Sequence, residues 1–561
     1  MPSIIILSSN LRNKIAAGEV IERPASVVKE LIENSIDARS SDIQIEILYG
    51  GKHLIRVSDN GTGMDRDDAV LAFERHATSK ILTDADLFNI NTLGFRGEAL
   101  PAIASVSKVK IITGIKGSSV GTSIELIGGE GKGLKDAPAY SGTSIEIRDL
   151  FFNTPARKKF LKTNPTEIYH IVDAVTRAAI SQIEISFRLT TDSKETMNLS
   201  VASSMKERLV QIFGTELFSG LSEVNAEAED MKLTAFVSDT KNFRNSKANQ
   251  FIFINRRPVR DPSISHAIYS AFEGILPQGM HPVFFIFLEL DPRRVDFNVH
   301  PSKKEVRFED KETIYKFVRR HVREVVKGGL NEYTRPFTET PSTGSSGYYN
   351  QYKTGDASDN FSGGLAVSEP LAFGFTPTLP HIYLGDTFIA LSGKGGLTII
   401  DHHAAHERIL FEKLLKGMSS ISRQLLFPKP IKLPPKEYNL LFNNKETLHS
   451  LGIEIDDFGQ NTLIVRAIPD ELENADITGI LSDIAAGLIE GKFSANSLKK
   501  DIAARVACHS SVRGKEILNS EEVARLLADL EKTEHPDQCP HGRPTRIFYS
   551  LNDLNKLFKR K

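Results

Sequence analysis

Acidic and amide side chains recur along one face of the first helix that the sequence predicts. Residues 24–38 are typical of a helix that Pro24 opens. The side opposite its apolar residues then carries Glu30, Asn34 and Asp37. Such a row could be nothing more than a solvated stripe. If it faces a nucleotide, Glu30 can act as the general base that activates water, and Asn34 can ligate Mg²⁺.

A further acidic side chain follows the strand predicted at Leu54–Ser58. Asp59 begins the segment Asp-Asn-Gly-Thr-Gly, which ends at Gly63. A carboxylate can accept a hydrogen bond from an exocyclic amine such as that of adenine, and glycines let the backbone approach a ligand closely. Together with the helix, this segment predicts an ATP site in which Asp59 binds the adenine, with Gly61 and Gly63 beside it.

Two later segments are candidates for phosphate contacts. Thr78 begins a Thr-Ser-Lys sequence that leads to a turn framed by Gly94 and Gly97, which runs into a predicted helix. Backbone N–H groups at a helix start can cradle a phosphate, although the turn could equally be a plain loop. Thr143 lies in a Ser-Gly-Thr-Ser sequence before a predicted strand. The Walker A pattern is missing from the sequence, which disfavours the P-loop fold.

In this order the four segments resemble the ATPase superfamily that gyrase B, Hsp90, histidine kinases and MutL share. Longer blocks narrow the resemblance to the MutL mismatch-repair family. The resemblance implies a mixed α/β protein with a GHKL (Bergerat) ATPase domain, a ribosomal-S5-like second domain, and an α/β C-terminal dimerisation domain with an inserted small subdomain. It also implies that Lys303 contacts the γ-phosphate, where the residues alone would favour a solvated lysine. The blocks are residues 15–20, 22–31, 94–100, 149–157 and 295–303.

Length and composition agree with several globular domains. The chain has 561 residues, of which 40% are hydrophobic and 25% charged, and its formal charge is −1. Any DNA binding must therefore use a local basic patch. Residues 331–378 are rich in Ser, Thr, Gly, Pro and Asn, and this composition predicts a flexible linker. The predicted boundaries are 1–204 for the ATPase domain, 205–330 for the second domain, 331–378 for the linker and 379–561 for the C-terminal domain, with the insertion at about 431–497.

Arginines after a predicted strand are candidates for contacts with double-stranded DNA. Arg256, Arg257 and Arg260 have aromatic neighbours in the sequence, and residues 157–159 form a second basic cluster. Either cluster could contact DNA phosphates. Short runs of charge are also common on ordinary surfaces, so the residues alone leave both readings open.

A second chemical site is predicted near the C-terminus. Asp401 ends an apolar strand, and His403 and Glu407 lie four residues apart on one helix face. Cys539 and His541 supply a thiolate and an imidazole in a distant turn. These five side chains suit Zn²⁺, and a weaker site beside Asp401 suits Mn²⁺ or Mg²⁺. A zinc ion that only stabilises the fold is the alternative.

The same residues resemble the nuclease motifs of MutL proteins. Asp401, His403, Glu407 and Glu412 match position by position, while His402 replaces a glutamine. The resemblance implies a latent metal-dependent endonuclease with Asp401 as a catalytic residue. An ATP-driven clamp that recruits partners without cutting DNA is the alternative. A type II topoisomerase or a chaperone ATPase would not need this set of side chains.

The resemblance also implies partners. It predicts a homodimer and recruitment by a mismatch sensor of the MutS kind. Arg423–Pro428 resembles the sliding-clamp peptide of the family, with Arg423 where that peptide has glutamine, and an ordinary strand and turn is the alternative. The sequence contains no apolar run long enough to predict a membrane span, and we therefore expect a protein of the bacterial cytoplasm. Two cysteines do not predict a disulfide framework.

Overall fold

The structure is a computed structural model in which the chain forms two compact units, residues 1–329 with 410–511 and residues 330–409 with 512–561. Each unit is considered by itself. None of the described helices is long and apolar enough to cross a membrane. The structure describes residues 21–81, 92–94, 97–228, 230–239, 242–244, 246–276, 280–296, 306–331, 381–385, 387–393, 395–416, 422–469, 472, 475–489, 498–510 and 518–558.

The first part of the larger unit is built on an eight-stranded sheet of order β5-β4-β3-β6-β2-β1-β7-β8. All neighbouring strands are antiparallel except β1 and β7, which are parallel. The elements are α1 (Pro24–Asp37), β1 (Asp42–Leu48), β2 (Leu54–Asp59), α2 (Arg66–Leu71), α3 (Ala99–Ser105), β3 (Lys108–Gly114), β4 (Val120–Ile127), β5 (Glu130–Pro138), β6 (Gly142–Arg148), α4 (Pro155–Phe160), α5 (Asn164–Ser181), β7 (Ser186–Thr191) and β8 (Lys194–Leu199).

Helix α1 is amphipathic, and its apolar side fixes the polar one. Val27, Val28, Leu31 and Ile32 are almost fully buried in the core of the sheet. Each such side chain contributes roughly 1.5–3 kcal/mol on burial. The burial of one face therefore turns the face that carries the acidic and amide residues away from the core.

The second part of the larger unit has a five-stranded sheet of order β13-β12-β15-β10-β9 around its own apolar core. Arg257 follows strand β12 and itself begins the short strand β13. The elements are α6 (Met205–Ser219), β9 (Leu221–Ala228), β10 (Met231–Ser238), β11 (Phe243–Arg244), β12 (Gln250–Ile254), β13 (Arg257–Val259), α7 (Pro262–Ala271), β14 (His281–Pro282), β15 (Phe284–Leu290), β16 (Val295–Asp296), β17 (Arg307–Phe308) and α8 (Lys311–Asn331).

The smaller unit contains a four-stranded antiparallel sheet of order β18-β19-β20-β24. One face of this sheet is buried, with Ile400 packed against Ala405, Ile409, Leu526 and Leu530. Helix α9 follows β20 directly and continues into the larger unit. The elements that involve this unit are β18 (His381–Leu384), β19 (Phe388–Gly393), β20 (Gly396–Asp401), α9 (His402–Leu415) and, further along the chain, a helix at Ser520–Glu531, a strand (β24) at Arg546–Ser550 and a helix at Leu551–Leu557.

The larger unit is completed by a segment between α9 and residue 511. A three-stranded sheet of order β21-β23-β22 packs with helices around a third apolar core. The pairing of β21 with β23 shifts between Gln424 and Lys429. The elements are β21 (Ser422–Lys432), α10 (Pro435–Asn443), α11 (Lys445–His449), β22 (Glu454–Gly459), β23 (Thr462–Pro469), α12 (Ile477–Ile489) and α13 (Leu498–Ser510). The two helices of the smaller unit that follow β20 and α9 in the described chain are labelled α14 (Ser520–Glu531) and α15 (Leu551–Leu557).

The mixed α/β architecture predicted from the sequence is confirmed. Nearly all of the predicted linker, residues 332–378, lies outside the described residues. The domain boundaries and the ribosomal-S5-like fold of the second domain stay predictions.

Candidate functional site

Asp59 is placed at the end of β2, where three groups of the first domain converge on its carboxylate. Oδ2 accepts a hydrogen bond from the Ser35 hydroxyl at 2.8 Å, and Oδ1 accepts the N–H of Gly61 at 2.9 Å and that of Thr143 at 3.3 Å. The last contact follows from the register of β2 and β6, which pairs Asp59 with Thr143. Burial raises the pKa of Asp59, and the three donors offset only part of that effect.

Two glycines bring the backbone segments around this carboxylate close together. Gly63 has a φ of +69°, and a Cβ atom there would lie 2.1 Å from the Gly114 carbonyl oxygen. Gly97 has a φ of +62°, and a Cβ atom there would lie 2.4 Å from the Ala77 carbonyl oxygen. Only glycine fits both the dihedral angles and the space at these positions. The predicted nucleotide segments are therefore held against neighbouring backbone in the fold.

The Asp37 carboxylate accepts three hydrogen bonds from the segments that are expected to face the phosphates. The donors are the N–H groups of Leu93 at 2.9 Å and Gly94 at 3.0 Å, and the Lys80 ammonium at 2.6 Å. The same ammonium donates to the Asn34 side-chain oxygen at 3.0 Å. The structure thus brings the helix face, the Thr-Ser-Lys segment and the glycine turn together, and the phosphate contacts themselves stay predictions.

Of the remaining predicted nucleotide residues, Thr78 and Glu30 have identifiable contacts. The Thr78 hydroxyl accepts the N–H of Lys80 at 3.2 Å. Glu30 lies 3.5 Å from the Lys29 ammonium, which also contacts Glu33 at 3.3 Å. Burial would lower the pKa of Lys29, but Glu33 and then Glu30 raise it above its ordinary value. Lys303 lies outside the described residues.

The sequence analysis did not assign roles to three residues that the structure places in this site. Asp37 anchors the glycine turn, Lys80 spans Asn34 and Asp37, and Ser35 donates to Asp59. A signal existed for Asp37, because it shares a helix face with Glu30 and Asn34. For Ser35 and Lys80, the partner lies far away in sequence, so spacing alone could not have revealed the contact.

The three arginines predicted to bind DNA lie in different environments. Arg256 and Arg260 are exposed, and Arg256 pairs with Glu184. Arg257 is only 8% exposed, and its guanidinium donates to the Thr92 carbonyl oxygen. A buried side chain cannot reach a DNA phosphate from this position. The prediction of a DNA contact at Arg257 therefore does not fit the structure.

The C-terminal site lies in the smaller unit. Ligand atoms of Glu407, Cys539 and His541 all lie within 4.8 Å of one another. His541 Nδ1 is 3.5 Å from a Glu407 carboxylate oxygen. Two contacts hold the turn, the Cys539 N–H to the Arg543 carbonyl at 2.8 Å and the Gly542 N–H to the Cys539 carbonyl at 3.0 Å. The turn thereby faces the side of α9 that carries Glu407.

The donor set fits a metal ion chemically. Zinc bonds of about 2.0–2.3 Å in tetrahedral geometry place ligand atoms about 3.5 Å apart, close to the separation between His541 and Glu407. Burial raises the pKa of the Cys539 thiol. The N–H groups of His541 and Arg543 lower that pKa, and Glu407 raises it further.

Two of the five predicted ligands do not join this group among the described residues. Asp401 Oδ1 accepts the N–H of Ala404 at 3.0 Å, so its carboxylate occupies the helix start as a cap. The His403 ring stacks on that of His402, with 4.7 Å between the ring centroids. Three of the five predicted ligands are therefore close together in the described structure, and the participation of Asp401 and His403 stays a prediction.

Fold and site define the class of protein. An acidic residue at a strand end, glycines around it and a polar helix face are the features of a nucleotide site without a P-loop. Residues 21–143 match the family model described as histidine kinase-, DNA gyrase B- and HSP90-like ATPase. The first domain is therefore an ATPase domain of the GHKL class.

Two further family models and whole-chain comparisons narrow the class. Residues 209–327 match the DNA mismatch repair protein C-terminal domain, and residues 382–518 match the MutL C-terminal dimerisation domain. The chain is 42% identical to the DNA mismatch repair protein MutL of Thermodesulfovibrio yellowstonii over 100% of both chains, and 38% identical to that of Caldanaerobacter subterraneus subsp. tengcongensis, again over 100% of both. The chain belongs to the MutL family of DNA mismatch-repair proteins.

Two solved structures are similar to part of the chain. A structure described as the N-terminal domain of a DNA repair protein is 26% identical, covers 58% of this chain and 99% of its own, and has a TM-score of 0.49. The Aquifex aeolicus MutL ATPase domain complexed with ADP is 30% identical, covers 53% of this chain and 98% of its own, and has a TM-score of 0.37.

Proposed function

We propose that this member of the MutL family couples ATP binding to incision of DNA by its own metal-dependent endonuclease. The observation that carries the proposal is the convergence of Glu407 with Cys539 and His541 at metal-ligand separations. A carboxylate, a thiolate and an imidazole form a set of ligands suited to zinc.

Within this proposal the three residues hold Zn²⁺, and the bound metal supplies Lewis-acid activation of water or of a phosphodiester oxygen. Asp401 lies one residue before the helix that carries Glu407 and is the proposed catalytic acidic residue, next to a weaker Mn²⁺ or Mg²⁺ site. His403 is within one helical turn of Glu407 and is a proposed additional ligand. A side-chain rotation at either residue would be needed to join the group.

The test measures metal content and nicking with the full chain. We expect His541→Ala and Glu407→Gln to lower bound zinc, measured by elemental mass spectrometry, and to lower nicking of supercoiled plasmid in Mn²⁺ by about 10²-fold or more. His535→Ala is the matched control, since it removes an exposed histidine of the same loop that is outside the group. Unchanged zinc content in both site variants would eliminate the proposed centre.

Asp401→Asn separates an endonuclease from a structural zinc site. Asparagine caps a helix about as well as aspartate, so this variant keeps the contact to Ala404 and should retain zinc, fold and ATP hydrolysis. We expect it to lose nicking. If neither it nor the wild type differs from a protein-free control, the alternative applies, an ATP-driven clamp that recruits partners and does not cut DNA.

The roles in the ATP site are proposed on the geometry of the first domain. Glu30 is the general base, Asn34 ligates Mg²⁺, and Asp59 binds the adenine amine. Asn34 and Lys80 are in contact here, so Mg²⁺ would compete with the ammonium for the same side-chain oxygen. The remaining proposed ATP contacts are those of Gly61, Gly63, Thr78, Gly94, Gly97, Thr143 and Lys303.

Partners are proposed on exposure and charge. Exposed Arg256 and Arg260 are candidates for DNA phosphate contacts. Leu426 and Phe427, 88% and 82% exposed, lie where the pairing of β21 is shifted, which supports a sliding-clamp peptide at Arg423–Pro428. Recruitment by a mismatch sensor of the MutS kind is proposed from family membership alone.

A further inference from the structure

The buried cation Arg257 connects the second domain with the ATP site. It lies on β13, which pairs with β12 in the five-stranded sheet of that domain. Its guanidinium nevertheless reaches the first domain and donates to the Thr92 carbonyl oxygen. Because its side chain is almost entirely removed from solvent, this contact is made without competition from water.

The peptide that Arg257 holds is the start of the glycine turn. Thr92 is followed by Leu93 and Gly94, whose N–H groups both donate to the Asp37 carboxylate. The Thr92 hydroxyl donates to the Gly94 carbonyl oxygen at 2.8 Å. The turn is thus fixed from two sides, by an acidic residue of the ATP-site helix and by an arginine of the second domain.

The acidic residues that act on Arg257 both lie on helix α1, which carries the proposed general base. Burial lowers the pKa of Arg257, and Glu33 and Asp37 on α1 counteract this effect. An isolated buried charge is expensive, so the position is tolerable only beside such acidic residues. Glu33 and Asp37 follow the proposed general base Glu30 on α1. The Arg257 guanidinium therefore interacts electrostatically with acidic residues of the helix that forms the proposed ATP site.

We propose that Arg257 is a positioning residue for ATP hydrolysis, which holds the Thr92–Gly94 peptide and couples the second domain to the phosphate-facing turn. A shift of the second-domain sheet would move the guanidinium, and with it the carbonyl that precedes Gly94. Conversely, a nucleotide that reorganises the turn would act on β13 through the same contact. The proposed coupling rests on the ATPase activity of the family and does not require the endonuclease.

The test compares Arg257→Met with Arg320→Met in the full chain. Methionine keeps much of the length of the side chain and removes its donors and charge. Arg320 lies exposed on α8 in the same domain and pairs only locally with Glu324, so its variant controls for loss of an arginine. We expect Arg257→Met to lower kcat for ATP hydrolysis by about tenfold per folded molecule, the order of effect of a misplaced reacting group, while KM changes by less than about threefold.

Hydrogen exchange provides the readout that a packing role would not move. In Arg257→Met the amides of Leu93 and Gly94 should exchange faster than in wild type, while amides of β10 and β15 keep their protection. Arg257→Lys keeps a buried positive charge with a smaller donor, and we expect its kcat to lie between those of wild type and the methionine variant.

Three results would overturn the proposal. One is a wild-type kcat in folded Arg257→Met or in both variants. Another is a fall in kcat of Arg257→Met that equals the loss of folded protein. In that case the folded Arg257→Lys variant would also show unchanged hydrogen exchange at the amides of Leu93 and Gly94. The third is weakened binding of double-stranded DNA by Arg257→Met at unchanged kcat, which would restore the DNA contact that the sequence predicted.

Discussion

At the scale of single residues, the proposed adenine-binding residue Asp59 and the proposed general base Glu30 lie in different environments. Asp59 is buried and receives three hydrogen bonds. Glu30 lies on a helix face, where its carboxylate is 3.5 Å from the Lys29 ammonium. An acidic residue that is buried and fixed suits recognition of a base, whereas a half-buried one beside polar groups suits proton transfer.

Substitution of Glu30 should therefore affect ATP hydrolysis, whereas substitution of Asp59 should affect ATP binding. We expect Glu30→Ala to bind ATP with nearly wild-type affinity and to hydrolyse it about 10²-fold more slowly. Asp59→Asn should lose affinity, because its amide places a donor where the adenine amine needs an acceptor. Calorimetry and steady-state hydrolysis distinguish these outcomes. A wild-type rate in Glu30→Ala would transfer the role of the base to Glu33.

At the scale of elements, helix α10 carries an ionisable group in an apolar setting. Glu437 is 4% exposed, and its Oε2 atom has no hydrogen-bond partner among the described residues. Burial raises its pKa to about 7, although Ser482, Arg244 and Lys436 act in the opposite direction, and Asp483 raises it slightly more. The fold therefore favours the protonated carboxyl.

The sign of the pH dependence follows from this pKa. Between about 4.5 and about 7 the native state holds a proton that the unfolded chain has released, so the free energy of unfolding falls as pH rises through that window. Glu437→Gln imitates the protonated form and should raise the free energy of unfolding at about pH 8 by up to about 3 kcal/mol. At about pH 4.5 it should have little effect.

Urea unfolding of the full chain at both pH values measures the difference. Glu446→Gln, an exposed change on the following helix α11, is the control and should shift neither curve. Equal effects of Glu437→Gln at the two pH values would contradict a titrating carboxyl and leave only a change in packing.

At the scale of the whole molecule, the sheet of the smaller unit presents an apolar face. Ile382, Ala390, Ile399 and Ile547 stand side by side across its four strands, since the register pairs them directly. Ile382 is 68% exposed and Ile547 is 47% exposed. Successive side chains alternate between the faces of a strand, so this row lies opposite the buried Ile400. We propose this row as the homodimer surface of the dimerisation domain, because its two ends at Ile382 and Ile547 are exposed, although Ala390 between them is buried.

A charge in that row should separate the two copies. The chain has a mass of 62.2 kDa, and we expect light scattering to give twice this value for the wild type and the single value for Ile547→Asp. An aspartate there would be buried unpaired in the interface, at a cost of several kcal/mol. Val201→Asp, at an exposed apolar residue of the larger unit, should remain dimeric. A dimeric Ile547→Asp would move the interface elsewhere.

The sequence by itself determined the parts of this protein that are local or carried in contiguous motifs. Pro24 and the apolar residues of α1 define the helix and its polar face, and Asp59 with its glycines defines the strand end, because helix and strand periods depend on neighbouring residues. The resemblance supplied by the motif blocks gave the family, which the whole-chain comparison confirmed. The residue roles, in contrast, stay predictions.

Only the tertiary structure decided which side chains meet. The sequence grouped Arg257 with Arg256 and Arg260, but the fold buries it and directs its guanidinium to the Thr92 carbonyl oxygen, far away in sequence. It grouped Asp401 and His403 with the metal ligands, whereas the mutually close group in the described structure consists of Glu407, Cys539 and His541, with Asp401 at a helix cap and His403 stacked on His402. Such contacts depend on how distant elements pack, and periodicity carries no information about that packing.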